Sequence, residues 1–271
     1  MEKYPKISIV STFKDSRYML KIIIESILSQ DYPNVEYIVT DSVSKDGTVE
    51  LLEEYTEKFK NRGYDLVWVS EPDKNLYEGY NKAIRLVTGE YLLITTNPFY
   101  NAAVLSLLMN NLLSEDYDLI SGGCVYHKDG KVIRRWSGKG GSWRLGWMAS
   151  TESICMKTKV IKKHGLMSEK YLCASDYDLQ IKIFRDKTLK TKHLETPLVY
   201  YFAGGASNGG LKNNLHAIKE SYAVLRDNKV WFAWFTLFCK CVTAFFAYTF
   251  VSKKDITHEL KLLPGYEEEK S

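Results

Sequence analysis

A chain of 271 residues is long enough for one large α/β domain with appendages, or for two small domains with separate cores. Hydrophobic residues at 45% and charged residues at 26% exclude an intrinsically disordered chain. A net charge of +4, without a clustered Lys/Arg stripe, argues against nucleic acid as a partner.

The opening run from Met1 to Lys6 leads straight into Ile7-Ser8-Ile9-Val10 and leaves no room for a signal-peptide core, so the folded part is expected to stay in the cytoplasm. Lys6–Ser11 is expected to be a buried strand. Tyr18–Ser29 follows with Leu20, Ile23, Ile24, Ile27 and Leu28 at helical spacing. Asp31-Tyr32-Pro33-Asn34 breaks that helix before a strand at Val35–Thr40. The alternation continues with a helix at Thr48–Asn61, a strand at Tyr64–Ser70, a helix at Glu78–Val87 and a strand at Tyr91–Thr95. Such βα units predict a mostly parallel Rossmann-like sheet flanked by helices. A helix at Ala103–Leu113 and a strand at Leu119–Tyr126 come next, then a Gly- and Trp-rich loop at Trp136–Trp147 that could cover a site. Helices at Thr158–His164 and Tyr177–Arg185 and a strand near Leu198–Phe202 complete this part. The five cysteines, Cys124, Cys155, Cys173, Cys239 and Cys241, lack the spacing of a zinc site and fit a reducing compartment. The five histidines show no metal-ligand spacing on a helix.

In an open parallel sheet, ligands bind beyond the carboxyl ends of the strands, so the chemistry is sought just after each one. Asp41 sits one residue past its strand, where a carboxylate can accept the N–H of a pyrimidine base. Asp46-Gly47-Thr48 is also a good helix start, with Asp46 as cap, and both roles stay open. No Walker loop and no G-x-G-x-x-G fingerprint is present, which removes the main support for a nicotinamide enzyme.

Several motifs in order carry a family resemblance. Ile7-Ser8-Ile9-Val10-Ser11-Thr12-Phe13, Glu25–Val39, Asp41 and Asp46-Gly47-Thr48 resemble the nucleotide-binding half of the inverting family-2 glycosyltransferases, which have a GT-A fold. Ser70–Ile84 and Thr88-Gly89-Glu90-Tyr91 resemble the stretch ahead of that family's metal motif. Ala174-Ser175-Asp176-Tyr177-Asp178 falls where those enzymes carry their catalytic acid. The likeness covers about residues 5–210. It implies that Thr12 and Asp41 hold the nucleobase and ribose side of a UDP-, GDP- or TDP-sugar, with Asp46 supporting that loop. Lys74, Glu78, Asn81 and Lys82 would lie near the donor sugar or diphosphate. Asp176 would be the general base in an inverting transfer to a glycan or lipid-linked acceptor; by local pattern alone it could simply cap the helix that follows.

Two positions depart from the family pattern. Where an Asp-x-Asp motif normally binds a divalent metal, this chain has Thr96-Asn97-Pro98-Phe99. Neither Pro98 nor Phe99 offers a side-chain ligand, and Asn97 binds a hard cation weakly at best, so Mg²⁺ or Mn²⁺ is a doubtful cofactor. Thr151 and Glu152 stand where related enzymes place a His-Gln pair close to the diphosphate, with Trp147 nearby in the same diphosphate or acceptor region. Three outcomes stay open: a metal-independent transferase whose Lys and Arg residues offset the leaving diphosphate, a weak metal site using acids such as Glu152, or a catalytically silent binding subunit paired with an active transferase. Lys74, Lys82, Arg134, Arg135, Lys139 and Arg144 qualify for the first by sign alone.

The chain is expected to divide into a GT-A domain at 1–225 and a membrane-associating tail at 226–271. Val230–Val251 is almost wholly apolar, with Trp231, Phe232, Trp234, Phe235, Phe238, Phe245, Phe246, Tyr248 and Phe250. Lys240 near its middle would cost about 2.5–3.5 kcal/mol in a bilayer-spanning helix, which favours a helix lying in the interface with Lys240, Lys253 and Lys254 reaching headgroups. A helix packed on the domain or on a partner subunit is the alternative, and self-association is left open. The expected location is the cytoplasmic side of a membrane, peripheral or monotopic through residues 230–251.

Overall fold

The computed structural model describes residues 4–128, 130–137, 143–146, 148–202, 210–249, 255–261, 263 and 266; within these, the side chains of 210–214 and 248 are not described. Among the described residues, eight strands form one sheet: β1 (Ile7–Phe13), β2 (Val35–Asp41), β3 (Asp65–Ser70), β4 (Tyr91–Ile94), β5 (Leu119–Lys128), β6 (Lys131–Trp136), β7 (Ile154–Lys157) and β8 (Thr191–Phe202). Their order is β3-β2-β1-β4-β7-β5-β6, with β8 also paired to β5. The β3-β2-β1-β4 half is parallel throughout, as expected of crossover units. The other half is mixed: β7 runs antiparallel to β4 and β5, β6 antiparallel to β5, and β8 parallel to β5. The mostly parallel sheet read from the sequence is therefore corrected to a mixed one, because β6 and β7 form in stretches on either side of the expected Trp136–Trp147 loop to which the sequence assigns no element.

Helices α1 (Arg17–Leu28), α2 (Thr48–Arg62), α3 (Leu76–Arg85), α4 (Val104–Ser114), α5 (Thr158–His164), α6 (Ser175–Arg185), α7 (Gly210–Asp227), α8 (Ala233–Thr249) and α9 (Thr257–Lys261) accompany the sheet. Every residue of β1 and β2 is buried, as strands covered on both faces must be. α1 turns Leu20, Ile23, Ile24 and Ile27 into a core shared with Ile7, Ile9 and Tyr37. On the opposite side, α3 and α6 pack Tyr77, Tyr80, Ala83 and Leu179 against Val10 and Leu92.

α8 packs on α7, on β6 and on the short turn Trp143–Leu145. Its buried side carries Ala233 and Thr236, the latter donating to the carbonyl of Arg144 at 2.8 Å. Its aromatic residues face out: Trp234, Phe235, Phe238, Phe245 and Phe246 are exposed, with Trp231 and Phe232 just ahead of it. Among the described residues, no helix is long and apolar enough to cross a membrane.

Candidate active site

At the carboxyl ends of β1 and β2, short side chains fix the loops before any ligand is considered. Asp46 takes the Arg17 amide at 2.8 Å on one oxygen and the Thr48 amide and hydroxyl on the other, so a single carboxylate caps the starts of both α1 and α2. Burial alone would raise its pKa; the Arg17 and Thr48 hydrogen bonds outweigh it and hold the carboxyl below its ordinary value. Asp41 is the last residue of β2, not one residue beyond it. It is fully enclosed, accepting from the Ser44 amide at 3.0 Å, the Ser44 hydroxyl and the Ser70 hydroxyl at 2.6 Å. It braces the loop after β2 from within and does not present its carboxylate to a ligand.

α3 ties that loop to the rest of the site. Asn75 caps it by accepting from the amides of Tyr77 and Glu78, while Glu78 reaches back to the Lys74 amide at 2.6 Å. That amide, with Lys74 beside it, holds the Glu78 carboxyl below its ordinary value. Gly79 passes so close to β1 that a Cβ there would lie 2.3 Å from Thr12 Oγ1 and 3.0 Å from Asp73 Oδ2, and its carbonyl accepts from Thr40 at 3.0 Å. Only glycine lets Thr12, Asp73 and the helix share this corner. Two residues earlier, the Tyr77 side chain points to Asp176. The side chains leaving β1 and β2 and the acid at position 176 are thus linked through one helix.

Of the residues expected near the diphosphate, three have other employment. Asn81 is buried and clamps the Met167 backbone, donating to its carbonyl at 2.8 Å and accepting from its amide at 2.9 Å. Lys82 is held by Asp73 at 2.7 Å and Glu71 at 3.0 Å; desolvation opposes its charge, but these two carboxylates win and raise its pKa. Lys74 is exposed, 3.9 Å from Glu78. Asn81 ties α3 to the Met167 backbone, and Lys82 ties it to the loop after β3.

At the end of β4, Glu152 reaches across from the turn Thr151–Ser153. Its Oε2 accepts from the Thr95 hydroxyl at 2.9 Å, the Thr96 amide at 2.8 Å and Asn97 Nδ2 at 2.8 Å, and its Oε1 accepts from the Thr96 hydroxyl at 2.9 Å. Asn97 spends its remaining oxygen on the Phe202 amide at 3.0 Å. A carboxylate therefore does stand beside the usual metal position, but Oε2 is saturated and Asn97 is used up. This donor set does not fit a divalent cation, which needs several oxygens free to turn toward it.

Asp176 lies in the first turn of α6, where its charge suits the helix dipole. The Tyr177 amide donates to it at 2.8 Å; the Tyr77 and Thr151 hydroxyls approach at 3.4 and 3.5 Å, long contacts that a bound substrate can tighten. Gln180 Nε2 donates to Thr151 at 2.6 Å and orients it. Desolvation raises the Asp176 pKa, with Lys240 and the Tyr177 amide acting in the opposite sense. Its neighbour Asp178 is instead taken by Lys182 and Asn228, both at 2.6 Å, which separates the two acids of the motif by role. Asp176 opens onto a cavity of about 310 Å³ whose wall includes Arg134, Trp136, Thr151, Gln180 and Lys240.

Lys240 corrects the headgroup-facing position expected for it. The side chain turns inward, donating to Ser221 Oγ at 3.0 Å and lying 3.5 Å from the centre of the Tyr177 ring. Burial lowers its pKa to about 8, against the favourable field of Asp176. Tyr77, Gln180 and Lys240 are the site residues that sequence reasoning missed. Trp147 lies outside the described residues. His216 and Glu220, one helical turn apart, converge with Cys173 so that one ligand atom of each lies within 4.8 Å of the others. Both Glu220 oxygens already accept amides, from Leu172 at 2.8 Å and Cys173 at 2.7 Å, so the trio acts as a staple between α7 and the loop before α6.

Known proteins resemble the chain in sequence and in fold. The profile of "Glycosyl transferase family 2" matches residues 8–170. A "PGL/p-HBAD biosynthesis glycosyltransferase" of Mycobacterium bovis is 24% identical over 214 residues, covering 75% of this chain and 80% of the relative. The "GalNAc(5)-diNAcBac-PP-undecaprenol beta-1,3-glucosyltransferase" of Campylobacter jejuni is 29% identical over 143 residues, half of this chain and 43% of that protein. In fold, the chain resembles the mannosyltransferase PcManGT from Pyrobaculum calidifontis, solved with GDP-Man and Mn2+, with a TM-score of 0.64 at 15% identity over 93% of this chain and 77% of that one. It also resembles S. aureus TarS, with a TM-score of 0.62 at 15% identity over 82% of this chain and 39% of that one. The family profile spans more than half of the chain, on a Rossmann-like α/β sheet of the GT-A type, and the chain belongs to glycosyl transferase family 2.

Proposed function

We propose that the protein transfers one sugar, with inversion at the anomeric carbon, from a nucleotide-sugar donor to a glycan or lipid-linked acceptor at a membrane surface. The observation that carries this reading is the Asp176 carboxylate opening onto a cavity, with Tyr77 and Thr151 poised beside it. Thr12, with the loop that Asp41 and Asp46 brace, takes the nucleoside side of the donor. The acceptor hydroxyl gives its proton to Asp176 as its oxygen attacks the anomeric carbon from the face opposite the nucleotide. The bond from that carbon to the diphosphate breaks, and the nucleoside diphosphate leaves with the electron pair. In this reading residues 1–225 are the transferase domain and 226–271 the membrane-associating segment, facing the cytoplasm.

The test is transfer from a panel of UDP-, GDP- and TDP-sugars to lipid-linked saccharides, read by release of nucleoside diphosphate. Turnover with one base is expected, and no turnover with any donor would mean a silent binding subunit on the same fold. Because Glu152 and Asn97 are spent on each other and on the backbone, activity in excess EDTA is expected to stay within two-fold of that in Mg²⁺ or Mn²⁺. A complete loss restored by added Mn²⁺ would refute the metal-independent form.

The exposed aromatic row on α8 supports the membrane surface as partner. A contiguous patch of this kind on a folded domain marks an interaction site, and Trp and Phe suit the boundary between headgroups and acyl chains. Trp231→Ser/Trp234→Ser/Phe238→Ser is expected to reduce co-sedimentation with phosphatidylglycerol-containing liposomes by about ten-fold, because each ring removes buried apolar area. Unchanged co-sedimentation would reassign this face.

A further inference from the structure

We propose that Lys240 and Arg134 form a subsite for a substrate phosphoryl group in the cavity they share with Asp176; this rests on the transferase reading above. Lys240 is brought there by a close approach of backbones. Gly146 has a φ of +65°, and a Cβ on it would lie 2.4 Å from Lys240 Cβ and 2.8 Å from its Cα. α8 thus seats against a position that only glycine fills, and its lysine enters the cavity.

The charge it brings has no counter-ion in contact. Among the described residues, no carboxylate lies within 4.0 Å of Lys240 Nζ; its neighbours are a serine hydroxyl and the face of Tyr177. A partly desolvated ammonium held this way is an unfavourable charge that an anion would offset. Arg134 lines the same cavity, its guanidinium 4.0 Å from the centre of the Trp136 ring and 5.0 Å from that of Tyr126. Stacking of this kind fixes the plane of the fork that recognises phosphate. Two cations therefore face one carboxylate, Asp176, in the wall of this cavity. On the donor side, Lys82 is paired with Glu71 and Asp73, and the exposed Lys74 lies 3.9 Å from Glu78. A diphosphate leaving group needs its developing charge offset, and the residues at the end of β4 are not arranged to recruit a cation for that purpose. The same chemistry would also suit a phosphate carried by the acceptor.

Inorganic pyrophosphate is the probe, because it reads the subsite without turnover and without knowledge of the base or sugar. Titration calorimetry of the full chain is expected to show binding that Lys240→Met weakens at least ten-fold and Lys240→Arg restores to within about three-fold. Lys240→Met should melt at the same or a higher temperature than wild type, since it removes a desolvated charge, and a purely structural role would lower it. Competition then identifies the source. Displacement of pyrophosphate by UDP, GDP or TDP assigns the subsite to the donor, and displacement by an alkyl diphosphate alone assigns it to the acceptor. Absence of pyrophosphate binding in wild type, equal binding by Lys240→Met, or displacement by neither class overturns the proposal. Sugar transfer that persists alongside any of these results leaves the transferase reading intact.

Discussion

Asp176→Asn is expected to lower kcat on the order of 10³-fold while leaving nucleoside diphosphate affinity within two-fold, because an amide cannot accept the acceptor's proton. The same variant should melt no lower than wild type. Desolvation raises the carboxyl's pKa in the fold, so the ionised form is less favoured there than in the unfolded chain. The sign follows directly: stability associated with this group is greatest when it is protonated and declines as pH rises through its raised pKa. Activity runs the other way, since the base must be ionised, and the acidic limb of the kcat profile should inflect above the ordinary aspartate range. Full activity in Asp176→Asn, or an acidic limb unmoved by it, would remove this residue from the chemistry. A loss of activity together with a collapse in melting temperature would point to its role as a helix-start residue instead.

Glu152→Ala is expected to be the most damaging single change to the fold near the site. It strips the acceptor from two hydroxyls, a backbone amide and an Asn amide at once, at the end of a buried strand. Water can replace part of this set, so a loss of about 3 kcal/mol is expected, from the cost of leaving buried donors unpaired. For a domain of this size that is a fall of roughly 6–12 °C in Tm, measured by thermal unfolding. Glu152→Gln should cost less, because its amide oxygen keeps part of the set. Were Glu152 a metal ligand in the working enzyme, the pattern would be the opposite. Wild-type melting would then rise sharply with Mn²⁺ and the alanine variant would lose that rise, with little change in metal-free stability.

The first four strands and three helices were legible because each crossover unit repeats one physical pattern, a short apolar run followed by a helical stripe ending in a turn signal. Errors there are confined to element ends, as at Thr12 and Asp41, where a polar residue continues a strand that apolar content alone would stop. β6 was missed because Lys131, Arg134 and Arg135 give it the charge of a loop; Arg134 is housed by stacking on Trp136, a contact across the strand pleat invisible in a linear pattern. β7 has four residues, too few to show a period. Asp176 could be picked from the motif, but its separation from Asp178 required seeing Lys182 and Asn228 close on the latter. The role of Glu152 depends on a contact 55 to 57 residues away in sequence. α8 misled in a more instructive way. Amphipathic helices normally bury their largest apolar side chains, whereas here the small and polar stripe Ala233, Thr236 and Lys240 goes inward and the aromatic rings stay outside.

The seat at Gly146 has a geometric consequence for what the enzyme can accommodate. Where main chain meets main chain there is no side chain left to shorten, so the gap between α8 and the turn before it is already at its floor. Evolution or engineering can only widen this vestibule, one methyl at a time, and every such step carries the lysine outward with the helix. Room in this cavity and the reach of the lysine into it are therefore traded against each other at a single residue that has no functional group of its own.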